Sequence, residues 1–188
     1  MATRRELLDA HYRRLWQPVE RPMLHLFEGP VETLPDGFGI QVYTTDSRCM
    51  LATNGMTKPE WVPALELHLI LPVSFASADA GELQPFVELL WVTAWFHNTR
   101  AQLGHGHTVN FGRPVVPGSA LTHGVLSLPY LDGPNLEMLD EPPTECLWLL
   151  PITERERDFK RDHGLEALEE IFEREELNYL ALTRDSLV

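Results

Sequence analysis

Between Glu82 and Trp95, seven apolar residues (Leu83, Phe86, Val87, Leu90, Trp91, Ala94 and Trp95) fall at i, i+3, i+4, i+7, i+8, i+11 and i+12. Only a helix, with about 3.6 residues per turn, gathers those positions onto one face. A stripe of that length has to be buried against another element. The segment LELHLILP (65–72) just before it offers one, because Leu65, Leu67, Leu69 and Leu71 alternate and so share one side of a strand. A long helix, starting near Glu82 and tolerating Pro85 in its first turns, is therefore expected to lie across a sheet.

Other segments supply that sheet. FGIQVYTTD (38–46) alternates, with Phe38, Ile40 and Val42 on one face. MLHLFE (23–28), HTVNF (107–111) and LTHGVLSL (121–128) read as further strands, and the unbroken apolar run CLWLLPI (146–152) as a central one. PVETLPDG (30–37), GRPVVPGS and YLDGPNLEMLDEPP (130–143) have turn chemistry, and residues 47–63 read as a loop or a broken strand. Thr3 with Glu6 and Thr153 with Glu156 have capping-box spacing. The first opens a helix over 3–17 that Pro18 ends, and the second a helix that stops near His163-Gly164. A last helix follows over 165–177, with Leu165, Leu168, Ile171 and Phe172 as its apolar stripe. Strands and helices do not alternate strictly. The pattern predicts an α+β fold with a mixed or antiparallel sheet of about six strands, against which the long helix and the C-terminal helices pack. With 188 residues, 44% of them hydrophobic and 23% charged, one core is expected, in a single domain over 1–188.

Composition narrows the function classes. No run of about 18 apolar residues occurs, so no membrane span is expected. The start, MATRRELL, has arginines but no apolar segment behind them, which points to a cytoplasmic protein without a signal peptide. Cys49 and Cys146 lie far apart with no CxxC context and are expected to be reduced and buried. The formal net charge is −13, and residues 137–176 hold 14 acidic and 5 basic side chains, a net of −9. Such a surface repels phosphate backbones and disfavours direct nucleic-acid binding. It attracts a basic protein; the alternative is that these acidic helices (154–177) are simply solvated.

Several residues invite chemical readings. In GHGHTVNFG (104–112) no metal is expected; the alternative is that His105 and His107, sharing a strand face, would form half of a metal site, which His123 or His97 would complete in a small metal-dependent hydrolase. No HExxH, CxxC or acidic triplet ties them together, and Gly104 and Gly106 equally suit a sharp bend before a strand. Glu66 and His68 share a face, either as an acid–base pair or as the wet side of an edge strand. There is no GxSxG, GxGxxG or phosphate loop, so no cofactor is expected. The ATNGMTKPEW loop (52–61) combines an Asn54-Gly55 turn with Met56 and Trp61, which are either partner anchors or folded back onto the sheet. Glu166, Glu169, Glu170 and Glu173 form an acidic flank on the last helix, the second candidate contact surface.

Taken in order, FGIQVYTTD, LATNGMTKPE, ELHLILP, GHGHTVNFGRPVVPGSALTHGVLSLPY and LWLLPITERERDFKRDHGLEALEEIFE resemble the suppressor-of-fused domain, especially its bacterial members. The resemblance covers most of residues 36–177. It implies an α+β domain that binds other proteins and is not an enzyme. The animal relatives restrain a transcription factor in Hedgehog signalling by clamping a short peptide with the help of a second, C-terminal domain, and carry an acidic residue where Gly106 stands here. The bacterial relatives resemble immunity proteins of toxin–antitoxin loci, which implies a toxin-like, basic protein as the partner of this acidic chain. The family supplies no catalytic residues, and a scaffold subunit of a larger assembly is a further alternative.

Overall fold

The computed structural model describes residues 2–26 and 34–188. Thr3 caps the first helix, α1 (Arg4–Tyr12), with the reciprocal Thr3–Glu6 box its sequence announces. The chain then enters the sheet through β1 (Gln17–Pro18), β2 (Gly39–Thr44), β3 (Arg48–Asn54) and β4 (Ala64–Pro72). A short 3-10 turn (Val73–Ser77) leads to the long helix α2 (Ala80–Thr99). Helix α2 begins two residues before Glu82, because Asp79 caps it and Glu82 closes the box from N3. Next come β5 (Thr108–Asn110), β6 (Leu121–Ser127), the single turn α3 (Pro134–Glu137), β7 (Met138–Leu139) and β8 (Thr144–Thr153). Helices α4 (Glu154–His163) and α5 (Leu165–Arg174) end the fold, separated by Gly164 at φ +95°.

Among the described residues, one mixed sheet of eight strands runs β1-β2-β3-β4-β8-β6-β5, with β7 also on β8. Every pairing is antiparallel except β4 with β8, which meet in parallel at the centre. The α+β expectation therefore holds, with eight strands where about six are expected. Two of the eight, β1 and β7, are two-residue ribbons too short to leave a periodic signal. Strand β3 lies within the stretch expected to be a loop or broken strand. Its Cys49 and Leu51 face one core and Met50 and Ala52 the other, so no apolar–polar alternation marks it. Of MLHLFE, Leu24 only bridges Ile40, and residues 27 and 28 lie outside the described residues, as do positions 30–33 of the adjoining turn.

Both faces of the sheet are covered. On one, Ile40, Val42, Leu51, Leu65, Leu67, Leu69, Leu71, Leu147 and Leu149 meet the α2 stripe of Leu83, Phe86, Val87, Leu90, Trp91 and Ala94. On the other, Tyr43, Met50, Ile70, Cys146, Trp148, Leu150 and Ile152 meet Leu8, Tyr12 and Trp16 from the N-terminal segment and Leu168 and Phe172 from α5. The two thiols, free and buried, lie on opposite faces, and burial pushes both up to about 12. Among the described residues, no helix is long and apolar enough to cross a membrane.

Candidate protein-interaction site

Of the loop expected over 52–61, residues 52–54 belong to β3, and the remainder, from Gly55 on, is braced from beneath. Strand β4 is interior, between β3 and β8, so Glu66 and His68 are fully buried and the edge-strand reading does not hold. The Glu66 carboxylate accepts the Thr53 hydroxyl at 2.7 Å and the backbone N–H groups of Gly55 and Met56 at 3.0 and 2.9 Å. The Arg4 guanidinium stands 3.8 Å away, a charge contact without a hydrogen bond. Burial raises the Glu66 pKa to about 7, against the pull of Thr53, Arg4 and the loop N–H groups. Gly55 takes φ +84°, a conformation a side chain would strain, so Asn54-Gly55 marks the bend where β3 ends and not a tight hairpin turn, since β4 begins only at Ala64.

From the helix side, the Asn98 amide donates to the Met56 and Ala94 carbonyls, each at 2.8 Å. His97 accepts the Leu103 N–H on Nδ1 at 2.9 Å, which leaves its Nε2 proton for the Thr57 hydroxyl oxygen at 3.2 Å. Burial lowers the His97 pKa to about 4, so the ring is neutral. Met56 is fully buried and Asn54 nearly so, with the Asn54 amide donating to the Arg5 carbonyl at 3.2 Å. Met56 is thus a core residue and not an exposed anchor. Trp61, half-buried, lies edge-on to His97 at 5.2 Å under the Lys58 ammonium, and Val62 at the tip is 71% exposed.

The acidic helix presents a different surface. Glu166, Glu170 and Glu173 sit at i, i+4 and i+7 of α5 and are exposed. Glu169 is not free in the same way: it accepts the Ser127 hydroxyl at 2.7 Å and the Tyr130 phenol at 3.0 Å, tying α5 to the end of β6.

The four histidines of the metal reading do not converge. His105 and His107 are exposed in a tight turn, where His107 Nδ1 accepts the Gly104 N–H at 3.0 Å and Gly106 takes φ +80°. Across their shallow cleft stand Arg157, Lys160 and Arg161, and the Lys160 ammonium donates to the Gly106 carbonyl. Cations are poor neighbours for a metal ion. His123 is buried in β6 beside the Thr122 hydroxyl, 2.9 Å away, and His97 is buried in α2. Among the described residues, no group of three or more His, Cys, Asp or Glu side chains could hold a metal. The glycines of GHGH thus serve the bend that delivers the chain to β5.

Two buried polar knots escaped sequence reasoning. Asp132 accepts both Arg48 nitrogens, at 3.0 and 3.1 Å, and the Trp16 indole N–H at 2.8 Å. Glu156, fully buried, accepts Arg184 at 2.6 and 2.9 Å and the Leu187 N–H at 3.1 Å. The Thr153–Glu156 spacing announced the cap, but nothing local announced Arg184.

The profile of the suppressor of fused protein family matches residues 50–185. A suppressor-of-fused homologue from Neisseria gonorrhoeae superposes with a TM-score of 0.79 at 28% identity, over 98% of this chain and 97% of that one. The structure of the Sufu–Fu complex matches at TM-score 0.64 and 13% identity, over 96% of this chain and 89% of that one. Drosophila suppressor of fused matches at 0.60 and 12%, over 85% of this chain but 44% of its own length. A comparison with curated protein sequences finds no match. With the profile spanning most of the chain and the fold shared along nearly its whole length, this chain belongs to the suppressor-of-fused family.

Proposed function

We propose that this chain is a non-catalytic binding domain that acts as an immunity-type protein in a bacterial cytoplasm, neutralising a basic, toxin-like protein. The observation that carries the reading is the Glu166, Glu170 and Glu173 stripe, three exposed carboxylates aligned on one helix face with no cation of their own helix between them. Aligned charge of that kind speeds and orients encounter with a cationic surface. The family lends support, since one solved relative is a complex of Sufu with another protein, Fu. The buried Glu66 and His97 lend more, because each is enclosed by packing and hydrogen-bonded to the chain around it.

The test is affinity purification from the native host at low and high salt. Exposed charge pairs are screened over about 30 Å at 0.01 M salt and about 8 Å at physiological strength. A basic partner retained at low salt, shed at high salt and lost on E166K/E170K/E173K is expected. No partner at low salt, or one indifferent to the charge reversal, would sink the reading.

A further inference from the structure

The net charge of −9 over 137–176 is not spread evenly in space. Helix α4 carries equal charge of both signs, Glu154, Glu156, Asp158 and Asp162 against Arg155, Arg157, Lys160 and Arg161; Arg157 meets Glu154 at 3.1 Å and Arg161 meets Asp158 at 2.9 Å, while Glu156 turns inward to Arg184. The whole excess therefore falls into two lobes, −4 over residues 137–145 and −5 over residues 165–176.

The stretch that leads from β6 into the first of these lobes carries exposed apolar side chains. Seven large hydrophobic side chains are exposed among the described residues, and three of them crowd into nine positions: Tyr130 (54%), Leu131 (39%) and Met138 (42%). Clustering of this kind is unlike the single exposed hydrophobics that any surface carries. The patch is also positioned. Its Tyr130 donates to Glu169 of one lobe, and burial, followed by the charges of Glu169 and of Glu137 from the other lobe, holds the Tyr130 phenol above its ordinary pKa. Beneath it, Leu136 is fully buried and its carbonyl meets the His11 ring at 3.1 Å, so the turn carrying the patch is fastened to the fold.

We infer that residues 130–138 are the docking face for a basic protein segment, which seats an apolar side chain on Tyr130, Leu131 and Met138 while its lysines and arginines meet the two acidic lobes. An apolar centre with a charged rim is the usual anatomy of a protein contact. The rim selects the occupant: a second copy of this chain would bring like charge against like, whereas a cationic segment finds complementary charge in both lobes. This inference rests on the proposed function and names the place where it acts.

The isotope-labelled full chain is titrated with two synthetic peptides of equal positive charge, one alternating lysine with leucine and the other alternating lysine with glycine. The leucine peptide is expected to move the amide signals of residues 128–141 and 166–173, and to bind about tenfold tighter than the glycine peptide. Y130S/M138S is expected to erase that preference, while V62S, at an exposed position elsewhere, keeps it. V62S should melt like the parent and Y130S/M138S only slightly below it, since none of the three positions is buried and the second variant gives up one exposed hydrogen bond, from Tyr130 to Glu169. Equal binding of the two peptides, signal changes centred near Trp61, or an unaffected Y130S/M138S would overturn the site. So would a dimer in sedimentation that Y130S/M138S abolishes, because the patch would then belong to a second copy. If the host complex resists Y130S/M138S but is lost in E166K/E170K/E173K, the docking face is wrong and the function stands. If there is no host complex at any salt, the function falls, and the peptide titration reads the patch separately.

Discussion

The two faces of the sheet are built from different chemistry. Toward α2 the sheet presents mostly leucine from β4 and β8, joined by aromatic pairs such as Phe38 with Trp91 at 4.7 Å and Phe75 with Phe86 at 5.1 Å, and few polar groups. Toward α1 and α5 the packing is aromatic and polar: Tyr12 stacks on Trp16 at 5.2 Å, Trp16 meets His68 edge-on at 5.2 Å, and Tyr43 donates to Asp9 at 2.7 Å. The buried Glu66 and Glu156 project from β4 and α4 on this second side. The first face is held by area removed from water, which any well-shaped apolar side chain can supply. The second depends on particular partners, and a polar atom left without one there costs more than the contact was worth.

Four substitutions probe that difference, from the largest effect to the smallest. On the polar side, R184A strands the Glu156 carboxylate in the interior and is expected to cost about 3–5 kcal/mol by chemical denaturation. A loss below about 1 kcal/mol would mean that the carboxylate escapes to water and that the two faces are held alike. On the aliphatic side, L67A opens a cavity in the central strand and is expected to cost about 2–5 kcal/mol, with R184A and L67A adding in the double variant because they share no partner.

The third substitution reads pH. The Glu66 pKa in the fold, about 7, lies above its ordinary value of 4.5, so its contribution to stability is complete below pH 4.5 and is lost as the pH rises to 7. His68 and His97, held down to about 4, act in the opposite sense and are lost as the pH falls from 6.5 toward 4. E66Q removes only the first effect. Relative to the parent, its Tm should therefore improve between pH 5 and pH 8, by the equivalent of about 3 kcal/mol at most; a difference that does not change with pH would show that the carboxyl is ionised throughout. Last, H68L should change stability by less than about 1 kcal/mol in either direction. Neither ring nitrogen of His68 has a hydrogen-bond partner, and an apolar replacement surrenders nothing there. A large loss would reveal a partner for the ring and make this residue part of the polar knot.

The same contrast explains what could be read from the sequence. The aliphatic face was legible because period is enough: the α2 stripe and the β4 leucines each announce their side, and the structure sets them against each other. The capping boxes at Thr3 and Thr153 were legible because their partners stand three residues away. The polar face was not. Glu66 and His68 look alike on an edge strand and on an interior one, and only the arrival of β8 beside β4 decides which they occupy. Strand β3 lost its alternation because helices cover both of its sides. The same holds for the candidate surfaces. The acidic flank of α5 could be counted directly, but the diversion of Glu169 to Ser127 and Tyr130, and the withdrawal of Met56 into the core, depend on residues 39 or more positions away.

The parallel seam between β4 and β8 has a consequence for how the chain is made. Leu67 pairs with Leu147, 80 positions later, so the middle of the sheet closes only after most of the polypeptide has left the ribosome. Until then β1 to β4 form a meander whose last strand offers an open hydrogen-bonding edge, rich in leucine, to any neighbouring nascent chain. Slower translation would prolong that exposure and faster translation would shorten it, so the yield of soluble product should follow synthesis rate and holdase chaperone supply more closely than it follows the stability of the finished fold.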